Sequence, residues 1–113
     1  MASKTRYPYL AFVLDATTRA LLLERFLPQH EIVVAHHVTL VAPGKFSEHQ
    51  PFDPTPKILV YGTAHTPEVD TVAVQVNGNL IRPDGIFYHV TLSHAETARA
   101  VQAREAQPNI RLL

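Results

Sequence analysis

Apolar positions fall into short runs along this chain, and the spacing within each run predicts its element. Residues 7–14 are aromatic and aliphatic up to Leu14 and stop at Asp15, the pattern of a buried strand. Asp15 or Thr17 can then cap a helix over residues 16–27. Leu21, Leu22 and Leu23, with Phe26 a turn further on, give it a wide apolar face, and Pro28 ends it. Residues 31–41 are strand-like, with Ile32, Val33 and Val34 running into His36-His37-Val38-Thr39-Leu40-Val41. Pro43-Gly44 breaks that strand, and residues 47–56, with Pro51, Pro54 and Pro56, predict an extended surface loop.

The pattern then predicts a meander. Residues 57–64 and 69–76 read as two strands joined by a turn around Thr66-Pro67. Asn77-Gly78-Asn79 and Pro83-Asp84-Gly85 are turn signals flanking a short Leu80-Ile81 piece, and residues 86–93 form the next strand. Residues 95–106 contain no breaker and predict a second helix, with Ser93 near its cap. Pro108 stops that helix, leaving residues 110–113 as a final strand. The order β-α-β-β-β-β-α-β implies an α+β fold, two helices packed on a mostly antiparallel sheet.

A length of 113 residues suits one domain, here residues 7–113 after a polar, disordered lead at 1–6. A hydrophobic fraction of 46 % is enough for a core. No apolar run approaches the ~20 residues that cross a bilayer, and no signal-peptide pattern follows Arg6, so the expectation is no membrane partner and a cytoplasmic location. The absence of cysteine excludes disulfides and Cys-based zinc or redox sites. Ten basic and ten acidic residues balance, without the basic face that grips long duplex nucleic acid; a phosphate-bearing ligand would be short. Seven histidines are the compositional oddity, because imidazole titrates near neutral pH.

Two of those histidines sit in a repeat. His-Val-Thr-Leu occurs at 37–40 and again at 89–92, both times in a predicted strand. Strand residues i and i+2 share a face, so His37 goes with Thr39 and His89 with Thr91, while the Val and Leu positions anchor the opposite face. If the two strands lie together, two imidazoles can flank one phosphorus. One accepts a proton from water or a ribose hydroxyl and the other donates one to the departing oxygen. The Thr hydroxyls can donate to the non-bridging oxygens as charge builds there. This chemistry calls for no metal and no cofactor.

Plainer readings exist for each residue. Either motif alone is what an amphipathic strand with ordinary polar residues would show; the pair carries the functional reading. His36 alternates with His37 and is expected to point away from the cleft. His94 lies at a strand exit, and His30, His49 and His65 fall in loop or turn contexts. A zinc site from His36, His37, His89 and His94 lacks the spacing of familiar motifs. Tyr88 and Tyr9 could stack on a base, though aromatic strand residues usually belong to the core. Lys45 and Arg82, each near a motif strand, could hold a phosphate or be solvated charges. Tyr88, Ser93, Lys45 and Arg82 are thus the candidate substrate-binding residues beside His37, Thr39, His89 and Thr91.

Paired His-x-Thr-hydrophobic motifs after an N-terminal strand and helix resemble the 2H phosphoesterase superfamily, the LigT-like group. The resemblance spans most of the chain: residues 9–14 and 16–27 look like the family's first strand and helix, and the two His-Val-Thr-Leu copies like its two motifs. The string Tyr88-His89-Val90-Thr91-Leu92-Ser93 is similar to the second motif of compact RNA-repair and phage members. The resemblance implies two similar lobes around a central cleft that His37, Thr39, His89 and Thr91 face. It also implies a nucleotide or RNA-end substrate: a 2′,3′-cyclic phosphate, a 2′–5′ linkage or a small cyclic nucleotide. The segment between the motifs is shorter here than in many members. The rival from another class is a binding module that sequesters a nucleotide in the same cleft; a third is an adaptor in which the repeat is incidental.

Overall fold

Asp15 divides the first two elements. Its carboxylate accepts the backbone N–H of Thr18 at 2.7 Å, the N-cap bond that starts helix α1 (Ala16–Arg25) just after strand β1 (Leu10–Val13). The structure, a computed structural model, describes residues 9–41 and 53–113. The remaining elements are β2 (Ile32–Val33), β3 (His37–Val41), β4 (Ile58–His65), β5 (Val69–Val76), β6 (His89–His94), a 3₁₀ helix (Ala100–Asn109) and β7 (Arg111–Leu112). All seven strands form one sheet in the order β1-β3-β6-β5-β4-β7, with β2 also on β6, and every pairing is antiparallel. The α+β expectation of two helical segments on an antiparallel sheet therefore holds. The polar lead at 1–6 and most of the proline loop lie outside the described residues.

Side-chain alternation gives the sheet two working faces. Val38, Val72, Val74, Val76, Tyr88, Val90 and Leu92 are buried on one face, where Leu22 and Leu23 of α1 and Phe26, its C-cap, pack against them. Burial of that apolar stripe, not intrinsic propensity, is what holds a helix of ten residues. Ala64, Ala73 and Phe87 are buried on the other face, against Ala106 of the 3₁₀ helix. Small residues there let the helix lie close to the strands.

Three expectations need correction. The strand expected over residues 31–41 is two strands, because Ala35 adopts a positive φ of 42° and bends the chain between β2 and β3. The helix expected at 95–106 begins five residues late. Strand β6 runs on to His94, a turn closes from the Ala98 N–H to the Ala95 carbonyl, and only then does the 3₁₀ helix start. Pro108 lies inside that helix and does not stop it. No helix among the described residues is long and apolar enough to cross a membrane.

Candidate functional site

The two repeats meet at the seam between β3 and β6, where Val38 pairs with Val90. Both valines are buried in the α1-side core, so His37, Thr39, His89 and Thr91 all project from the opposite face. The antiparallel sense of the pairing sets His37 beside Thr91 and Thr39 beside His89. Each pair on one strand thus faces its counterpart on the other in reversed order. The imidazoles are near enough that a charge on His37 opposes protonation of His89.

His89 is the more constrained ring. Its Nδ1 lies 2.8 Å from the Phe87 carbonyl oxygen, which can only accept, so Nδ1 carries the proton and donates. The neutral ring then has its lone pair on Nε2. The Phe87 ring stacks on it, with centroids 4.4 Å apart and planes 25° from parallel. Burial, the larger cause, and the nearby Arg82 and His37 charges push its pKa down to about 4, against the Phe87 bond and Asp84, which favour the charged form.

His37 is half-buried and also lowered, first by burial and then by the charge of His36. Its ring meets two others. The Tyr9 ring, half exposed, lies with its centroid 6.1 Å away, tilted by 50°. The His36 ring approaches edge-on, with Nδ1 3.1 Å from the His37 Nδ1. The expectation that His36 points away is thus wrong. Strand β3 starts only at His37, and the bend at Ala35 removes the alternation that the expectation assumed.

That bend is held from outside the strand. Arg19, on α1, donates through Nε to the Ala35 carbonyl at 3.1 Å and through a terminal nitrogen to the Val34 carbonyl at 3.3 Å. The Ala35 N–H donates to the Thr91 carbonyl at 2.8 Å, tying the bend to the second motif. A non-glycine residue at positive φ costs of order 1–3 kcal/mol, and these bonds offset it. Arg19 had no signal in sequence, where a helix arginine reads as a solvated charge.

The expected substrate-binding residues part company here. Tyr88 is 8 % exposed and packs in the α1-side core, since it alternates with His89; the aromatic rings beside the motif histidines are Tyr9, at His37, and Phe87, at His89. Ser93 is fully buried and donates to the Asp70 carboxylate, while its Oγ accepts the His30 N–H at 3.1 Å. A bulge turns it away: Thr71 pairs with Thr91 but Asp70 pairs with Ser93, leaving Leu92 as the extra residue. Arg82 is committed to Asp84 through two bonds of 3.0 and 2.7 Å, and its side chain is 11 % exposed. It acts on His89 through its charge. Lys45 lies outside the described residues. Thr91 is itself nearly buried, and Thr39 is more open.

The zinc alternative gains nothing from this arrangement, because no three His, Asp or Glu side chains among the described residues gather to hold a metal ion. No family model, no curated protein and no solved structure matches this chain.

Proposed function

We propose that the chain is a metal-independent phosphodiesterase of the 2H type, acting on a small nucleotide or RNA-end phosphodiester. The candidate substrates are a 2′,3′-cyclic phosphate, a 2′–5′ linkage and a cyclic oligonucleotide. The observation that carries this reading is the placement of both His-Thr pairs on one face of adjacent strands, His37 beside Thr91 and Thr39 beside His89. In this reading the β3–β6 seam is the boundary between two lobes, and the cleft lies over it.

The roles follow from the rings' surroundings. His89 is the base, with its Nδ1 proton tied to Phe87 and its Nε2 lone pair open to a nucleophile. It takes a proton from water as the water oxygen bonds to phosphorus. The bond from phosphorus to the leaving oxygen breaks, and His37 gives that oxygen a proton. The order of proton affinities favours this assignment. Burial holds His89 neutral down to about pH 4, which suits the base, whereas the less buried His37 is the ring left to carry the proton. Thr39 and Thr91 donate to the non-bridging oxygens. Tyr9 offers a face on which a nucleobase can stack.

A panel of 2′,3′-cyclic mononucleotides, 2′–5′ dinucleotides and cyclic oligonucleotides, assayed at catalytic enzyme with and without EDTA, tests the proposal. Multiple turnovers that survive EDTA are expected for at least one class. Turnover abolished by EDTA and restored by zinc or manganese would overturn the metal-free scheme. Tight stoichiometric binding without product would make the chain a sequestering module instead.

A further inference from the structure

His36 belongs to neither His-Thr pair, yet its Nδ1 lies 3.1 Å from the Nδ1 of His37, and the two rings meet edge to face at 78°. Two ring nitrogens at that distance bond only if one carries a proton and the other offers a lone pair. A hydrogen bond across this contact would hold one proton between them. His36 is exposed and free to exchange with water, whereas His37 is half-buried.

We infer that His36 is a positioning residue for His37, sharing one proton with it through the two Nδ1 atoms so that the rings titrate as a dyad. The catalytic consequence rests on the phosphodiesterase reading; the dyad itself does not. In its singly charged state His37 donates Nδ1–H to the neutral His36, which fixes the ring's rotation and leaves the Nε2–H of His37 for the leaving oxygen. The first proton is bound more readily by the pair than by a lone half-buried imidazole, since His36 supplies an acceptor where burial has removed water. The second is resisted, because a charge on His36 opposes one on His37. Among the described residues, the other titratable groups facing His37 are Tyr9, from the chain just before β1, and His89 across the seam. Arg19 of α1 is bound to the Val34 and Ala35 carbonyls.

Ring-nitrogen NMR titration of the full chain, without substrate, reads the dyad directly. The His36 and His37 resonances should move together through one step that takes up a single proton. In His36→Ala that step disappears and His37 titrates alone at lower pH. His36→Asn, whose Oδ1 can accept from the His37 Nδ1, restores most of the wild-type behaviour. On the best substrate of the panel, the alkaline limb of kcat/KM moves to lower pH in His36→Ala. Activity above the optimum then falls about tenfold, the scale of coupling expected for contacting titratable pairs, and His36→Asn recovers it. Independent titration of the two rings overturns the dyad, as does an alkaline limb that stays in place or moves up in His36→Ala. A shared titration in a protein that turns over none of the panel leaves the dyad standing and sinks the phosphodiesterase reading alone.

Discussion

The His89 Nδ1 donates to the carbonyl oxygen of Phe87, two residues back on the same face, at 2.8 Å, and the Phe87 ring covers the imidazole it holds. Burial, acting against that bond, keeps this histidine neutral in the folded protein at acidic pH where the unfolded chain would charge one. The ring's affinity for a proton drops from the ordinary 6.5 to about 4 on folding. A value depressed in the folded state means that this contribution to stability is complete above about pH 6.5 and is lost as pH falls towards 4. The loss amounts to about 3 kcal/mol on the scale of one pKa unit per 1.4 kcal/mol. His37, lowered as well, adds in the same direction. Urea unfolding between pH 7 and pH 4 should show a midpoint that falls with acid, and His89→Asn should flatten that slope. An unchanged slope in the variant would place the acid sensitivity elsewhere.

The paired histidines carry the strongest functional expectation. His37→Ala and His89→Ala should each lower kcat by about two orders of magnitude or more, the effect typical of general acid–base groups. The double variant should lose little beyond the worse single one, because groups acting in one step are not additive. Additive losses, or a mild effect from either alone, would mean that the two motifs work separately.

Much of this arrangement was legible because it is local. Asp15 as a cap, residues 69–76 as a strand and the shared face of each His-x-Thr pair follow from periodicities that neighbouring residues set among themselves. What escaped depends on distant partners. The bend at Ala35 exists because Arg19 and the Thr91 carbonyl hold it, sixteen residues away and on another strand. The bulge at Leu92 exists because β5 pairs with β6 out of simple register, and it alone turns Ser93 from the Thr91 face. The Ala-rich segment after β6 opens as a turn and not as helix, with the Ala95 N–H tied to the distant Glu68 carbonyl and the Ala98 N–H closing on the Ala95 carbonyl. Sequence alternation predicts faces only while the strand stays regular.

Arg19 should therefore matter to activity more than to folding. Arg19→Lys keeps the charge but not two directed N–H donors for the Val34 and Ala35 carbonyls. We expect kcat to fall about tenfold with the thermal midpoint little changed, since each exposed or part-buried bond contributes only about 1 kcal/mol. The accompanying check is the His36 and His37 ring resonances, which should shift in the variant. A loss of activity with those resonances unmoved would place the role of Arg19 elsewhere.

Ser93 offers the opposite contrast. It is buried, bonds Asp70, and with it anchors the chain after α1: the Gln29 N–H donates to the Asp70 carboxylate at 3.2 Å and the His30 N–H to Ser93 Oγ at 3.1 Å. Ser93→Ala strands a buried carboxylate oxygen and a backbone donor, a cost of about 1–3 kcal/mol. Substrate KM should be unchanged in the folded variant. A large rise in KM at full stability would return Ser93 to the binding site.

The pH dependence of turnover draws on the same two rings in a different way. The competent form has His89 neutral and His37 charged, so the rate falls when acid charges the base and when alkali discharges the acid. In the free protein both proton affinities are depressed, His89 to about 4 and His37 below its ordinary value. The bell of kcat/KM should therefore be centred below pH 6.5. The two apparent constants belong to the coupled pair and not to either ring alone. A bound phosphodiester brings negative charge against both imidazoles and favours their charged forms. Both limbs of kcat should then lie at higher pH than those of kcat/KM. The measurement is a pH series of both parameters on the best substrate of the panel. A rate that climbs steadily to pH 10 would point to hydroxide attack or to a single base. A kcat/KM optimum well above pH 7 would mean that burial does not set the proton affinities of this site.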